Sequence, residues 1–224
     1  MITLLDLFKL KIFRRVFTII ILAKYTFLFQ LPKSPSSLAP DEGTYSQLVT
    51  SLATYDNFLS SKLTEDSLFL NSRSLLVPSW ILHEIGFSSL NSIRIVSVTY
   101  SVMSSVIMFL LLHNFPIKTV NFKKPQTLQI FITSAILVFS FFPSHFIWSE
   151  LGLRESASEF WILLSFYLIL KINSIENKKY LFYHLFFLMI AVLGMFGSRS
   201  QTAILFSISL ILSIFVNVTF KYKF

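Results

Sequence analysis

The chain contains no cysteine, which removes disulfides, thiolate metal sites and cysteine nucleophiles from consideration at once. Its five glycines never cluster, so it lacks the Gly-rich loop that cradles a nucleotide phosphate. The four histidines, His83, His113, His145 and His184, show no metal-ligand spacing and read as packing or interfacial groups. Charge is scarce as well, at 13% of 224 residues, and it leans basic, with 19 Lys and Arg against 11 Asp and Glu. In a soluble chain a balance of +8 would point to nucleic acid. Here the basic residues fall between apolar blocks, where they act as topology signals, and no nucleic-acid partner is expected.

What the chain does have is apolar surface in long uninterrupted blocks. Hydrophobic residues make up 54%, the mean hydropathy is +0.69, and 26 residues are phenylalanine. Such blocks are lipid-facing and packing surface, and the class they predict is a polytopic, all-α transmembrane bundle. A span needs about 20 mainly apolar residues. On that criterion about six segments qualify, near 12–31, 92–113, 127–147, 157–171, 181–198 and 201–219. The whole chain, 1–224, then forms one transmembrane domain, interrupted by one long extracytoplasmic loop, 32–91.

With the N-terminus inside, the cytoplasmic face collects Lys9, Lys11, Arg14, Arg15, Lys118, Lys123, Lys124, Lys171, Lys178, Lys179, Lys221 and Lys223. The opposite face keeps Lys33, Lys62, Arg73, Arg94, Arg154 and Arg199 over a longer stretch of chain. This bias predicts both termini in the cytoplasm. Ser37-Leu38-Ala39 resembles a signal-peptidase site, but the apolar run before it is too long for a signal h-region, and Pro40 would follow the cut; the first segment is expected to stay as an anchor. Lys24 lies inside it, at a cost of about 2.5–3.5 kcal/mol on insertion scales, so it must face other helices or snorkel.

The 32–91 loop is long enough to carry structure of its own. Tyr45, Leu48, Val49 and Leu52 recur at helical spacing, predicting a short helix on the membrane surface. Leu75 to Leu82 is too short to span, contains Pro78, and reads as an interfacial or re-entrant helix with Trp80 at headgroup level.

The chemistry gathers at the outer boundaries. Asp41 and Glu42 stand at the first, in Pro40-Asp41-Glu42-Gly43-Thr44-Tyr45. Glu150, Arg154 and Glu155 stand at the second, and Arg199 at the third, in Gly197-Ser198-Arg199-Ser200. A carboxylate there can take a proton from an attacking hydroxyl or amine, and guanidinium groups can hold a phosphate leaving group. Each also has a structural reading: helix-cap acids at 41–42, a charged turn at 154–155, and a tight Gly-Ser turn at 199.

An acidic pair and a tyrosine after the first span, followed by Arg154-Glu155-Ser156 before the fourth, resemble the integral-membrane glycosyltransferases of the GT-C superfamily. That superfamily includes protein mannosyltransferases and bacterial enzymes that use polyprenyl-phosphate sugars. The resemblance implies a bacterial plasma-membrane enzyme with Asp41 as base and Glu42 beside it. Tyr45, Arg154, Glu155 and Arg199 then belong to the substrate site, and Ser72-Arg73-Ser74 resembles a loop segment of related proteins, which adds Arg73. It implies a lipid-linked sugar donor and membrane lipid as surroundings, with no resident cofactor; the residues themselves leave open a divalent cation on Asp41 and Glu42, since hard cations favour carboxylates. Members usually carry more helices, so a short member, or a partner membrane subunit that completes the donor pocket, is expected. The rival readings are a transport or flippase component, an assembly component of polysaccharide export, and an inactive fragment of such an enzyme.

Overall fold

The structure is a computed structural model that describes residues 10–31, 38–54, 67–114, 125–172 and 178–221, and among these every regular element is helical. Of the basic residues that set the topology, Lys9, Lys33, Lys62, Lys118, Lys123, Lys124 and Lys223 lie outside the described residues. The helices are α1 (Lys11–Gln30), α2 (Pro40–Thr54), α3 (Ser67–Leu70), α4 (Arg73–Glu84), α5 (Ser89–Asn114), α6 (Pro125–Phe141), α7 (Pro143–Glu150), α8 (Arg154–Ile172), α9 (Lys178–Phe196) and α10 (Ser200–Lys221).

α5 is the hub, touching α1, α2, α4, α6, α7 and α8, while α9 packs on α8 and α10 on α9. Two apolar clusters grip its ends. Toward its C-terminal end, Phe109 and Leu110 pack with Phe13, Val16, Phe17 and Ile20 of α1 and Ile132 and Ile136 of α6. At its N-terminal end, Ile93 and Val96 pack with Tyr45, Val49 and Leu52 of α2, Phe69 of α3, and Leu75 and Leu76 of α4. Between them α5 presents Ser97, Ser101, Ser104 and Ser105, all fully buried, at the 3–4 residue spacing of one helix face. Small residues let helix backbones approach closely, and their hydroxyls bond across the seam. Ser97 meets Ser156 at 2.6 Å and Ser105 meets Ser140 at 2.8 Å.

The helix predicted to follow the acidic pair exists, with Asp41, Thr44, Gln47 and Thr50 on its exposed face. Tyr45, Val49 and Leu52 turn into the second cluster, because α4 and the start of α5 supply an apolar wall at the same height. α4 runs unbroken through Pro78. A helical proline frees the carbonyl four residues before it, here that of Ser74, and the Tyr100 hydroxyl donates to that oxygen at 2.9 Å.

The segment expected to run continuously over 127–147 is broken. Pro143 opens α7 at a position where a missing N–H costs nothing, and α6 and α7 meet at a 52° bend. One helix, α5, with 26 residues, is long and apolar enough to cross a membrane, and the bent α6–α7 pair passes the same test as a unit. α1 and α8 have the length, but Arg14, Arg15 and Lys24 interrupt the first, and Arg154, Glu155, Glu159 and Lys171 the second. Lys24 is fully buried; its ammonium donates to the Ser149 hydroxyl at 3.0 Å and lies 4.8 Å from the centre of the Phe146 ring.

Candidate functional site

Asp41 and Glu42 occupy the first turn of α2, where the helix dipole favours negative charge. Their surroundings then diverge. Asp41 is exposed, whereas Glu42 is completely buried. Glu42 Oε1 accepts from the Arg94 guanidinium of α5, and Oε2 accepts from the Leu38 backbone N–H at 2.8 Å. The pair therefore does not present two open carboxylates to a divalent ion. Among the described residues no group of three or more His, Asp or Glu is placed to hold a metal.

One turn on from Asp41, Tyr45 is buried with its hydroxyl beside Ser72 and within electrostatic reach of Arg154, Asp41 and Glu155. Burial pushes the Tyr45 hydroxyl above its ordinary pKa, and the Arg154 cation opposes that shift. The tyrosine thus remains a neutral donor between charges of both signs.

Arg154 and Glu155 open α8 after the turn Leu151-Gly152-Leu153. Gly152 has φ of 65°, and a Cβ there would stand 2.6 Å from Ile93 Cγ2 and 3.3 Å from the Arg94 nitrogen. A side-chain-free residue lets this turn press on the start of α5, which brings Arg154 toward the Glu42–Arg94 pair. The Nε of Arg154 is buried with no hydrogen-bond acceptor among the described residues.

The third boundary closes the ring. Arg199, in the turn between α9 and α10, donates to Glu155 Oε1 at 2.9 Å. The same turn is tied to α4: Ser74 N–H donates to the Gly197 carbonyl at 2.8 Å, Ser74 Oγ donates to the Gly194 carbonyl at 2.7 Å, and the Arg73 side chain lies against Gly197. All the residues assigned to the site from sequence therefore come from helix ends that the fold brings to one end of the bundle. Among the acids and arginines of that set, Glu42 stands apart in being sealed inside.

Beside Glu155 and Arg199 opens a cleft of about 330 Å³, walled by the end of α6, by α7 and α8 and by the start of α10, with Phe139, Trp148, Ile162 and Leu163 as its apolar sides. It holds two residues that sequence reasoning left unassigned. His145 Nδ1 bonds Glu159 Oε2 at 2.7 Å, and its Nε2 bonds Ser101 Oγ at 3.0 Å. The two are 14 positions apart across a turn, a spacing with no motif behind it; the available signal was an ionisable residue inside an apolar segment. Glu150, at the end of α7, is buried, its two oxygens find no hydrogen-bond donor among the described residues, and Lys24 and Arg94 are the cations within electrostatic reach.

No protein-family model, curated protein or solved structure matches this chain.

Proposed function

We propose that this chain is a polytopic membrane glycosyltransferase of the GT-C kind, moving a sugar from a polyprenyl-phosphate donor to an acceptor on the extracytoplasmic face. The observation that carries this reading is the meeting of Asp41, Tyr45, Arg154, Glu155 and Arg199 around one mouth, next to a cleft with polar and aromatic walls.

The six-span bundle with both termini in the cytoplasm is part of the same proposal. It is supported by the large apolar side chains left exposed on α1, α6, α9 and α10, among them Leu22, Phe29, Ile130, Val138, Phe182, Phe187 and Leu205. Patches of that kind mark a surface made for lipid or for another chain. The basic ends of α1 and α9 agree with the same orientation.

In the reaction, Asp41 is the exposed carboxylate and takes the proton of the acceptor hydroxyl or amine. The acceptor atom bonds to the anomeric carbon as the bond from that carbon to the phosphate oxygen breaks, and polyprenyl phosphate leaves. Arg154, whose buried Nε has donor capacity to spare, and Arg199 neutralise the leaving phosphate. Attack opposite the leaving group inverts the anomeric centre. Glu42 stays paired, holding the acidic turn against α5 through Arg94 and Leu38.

Glycan and lipid-linked-sugar profiling of host cells tests this directly. Asp41→Asn keeps the size and removes the basicity, so it should reproduce the missing sugar of a deletion strain at unchanged protein level. A deletion with no glycan change, or an Asn variant that behaves as wild type, overturns the proposal.

One observation favours transport as the second reading. Lys24, Arg94, His145, Glu150 and Glu159 are ionisable groups buried or half-buried between helices, and such groups mark ion and proton paths in membranes. Loss of a proton-coupled flux in vesicles with Glu150→Gln, with glycans intact, would favour it.

A further inference from the structure

Resting on the glycosyltransferase reading, we infer that the cleft between α7, α8 and α10 holds the glycosyl group of the donor, and that it selects neutral or amino sugars against acidic ones through Glu159.

Size admits a sugar ring. The cleft of about 330 Å³ lies at the small end of the roughly 300–1,000 Å³ range of ligand pockets and has room for one glycosyl unit. Its walls divide by chemistry: Phe139, Trp148, Ile162 and Leu163 offer apolar contact for the C–H face of a ring, while Glu155, Glu159 and Arg199 offer hydrogen bonds to hydroxyls. Trp148 is 47% exposed and so presents open ring surface.

Charge within the cleft is uneven. The Glu155 carboxylate is matched by Arg199 at 2.9 Å, which leaves that end suited to the donor phosphate. Glu159 is 30% exposed, and its one bond to His145 uses a single oxygen; a carboxylate has about four lone-pair sites, so acceptor capacity remains for sugar hydroxyls. His145 is held at both nitrogens, by Glu159 and Ser101, so it orients the carboxylate and is a positioning residue. A carboxyl-bearing sugar would bring like charge against Glu159 in a confined space, whereas an ammonium would be drawn to it.

The full chain in lipid nanodiscs is titrated with short prenyl phosphates carrying glucose, glucosamine or glucuronic acid, and with the bare prenyl phosphate. Wild type is expected to bind the glucosyl and glucosaminyl compounds at least about tenfold tighter than the glucuronosyl one. Glu159→Gln should shrink that gap to within about threefold, because the amide carbonyl still accepts but carries no charge. Trp148→Ala should weaken all three sugars about tenfold. In both variants the bare prenyl phosphate should bind as in wild type, which reports an intact fold. Equal binding of the three sugars by wild type, or a gap that Glu159→Gln leaves untouched, overturns the inference while transfer activity can persist. If no sugar compound binds better than bare prenyl phosphate and Asp41→Asn is silent in cells, the glycosyltransferase reading falls with it.

Discussion

The two ends of α5 are held by different physics. Toward Phe109 the contacts are mainly apolar, with Phe13, Phe17 and Phe109 in edge and tilted ring contacts 4.2–6.2 Å apart and the His113 ring stacked on Phe109. Toward Arg94 an apolar cluster shares the ground with buried ionisable groups, in which Glu42 pairs with Arg94, and Glu150 lies within electrostatic reach of Lys24 and Arg94. Dispersion contacts are small, numerous and nearly interchangeable. A buried charge is neither, since its desolvation penalty is offset only while its partner is in place. The apolar end should therefore lose stability in proportion to the atoms removed. The polar end should respond to which partner is removed.

The sharpest break is Arg94→Leu. It leaves Glu42 sealed without its guanidinium partner, and should cost about 3–5 kcal/mol; thermal unfolding of the detergent-solubilised protein measures it. Glu42→Leu combined with Arg94→Leu should recover most of that loss, and a double variant as unstable as the single one would remove the distinction between the two ends. At the apolar end Phe109→Ala should cost about 3 kcal/mol from the cavity it leaves, with no second-site change of charge able to restore it. Gly152→Ala comes next. A side chain forced into a left-handed backbone and against Ile93 should cost about 1–3 kcal/mol, and in activity assays it should act as a partial loss at the Arg154 mouth. The smallest effect belongs to the serine seam: Ser97→Ala removes the hydroxyl's contacts with Ser156 and with the Leu153 carbonyl and should cost about 1 kcal/mol, at ~0.6 for each such bond in membranes. A seam substitution that cost as much as Arg94→Leu would mean that the hydroxyls, rather than the ion pairs, hold the polar end.

Much of the fold was legible as segments. The six apolar stretches coincide with α1, α5, the α6–α7 pair, α8, α9 and α10, because helical propensity and block hydropathy act locally along the chain. The bend between α6 and α7 was missed, although Pro143, whose effect on an N–H is local, was the signal for it. What could not be read was the facing of α2. Tyr45, Leu48, Val49 and Leu52 carry a periodic stripe whether they meet lipid or protein, and α4 and α5 decide between the two. The same holds for Asp41 and Glu42, which sequence treats as twins.

Composition and patterning by themselves determined an all-helical chain with apolar exterior, polar helix ends, no thiol chemistry and no phosphate loop, since each of these follows from residue type and order. Tertiary structure decided which charges became partners. Glu42 found Arg94 across 52 positions, Lys24 found Ser149 across 125, and His145 found Glu159 in a cleft that exists only once α7, α8 and α10 are assembled. Electrostatic pairing and burial depend on distance in space, and distance in space is a property of the packed helices rather than of the chain.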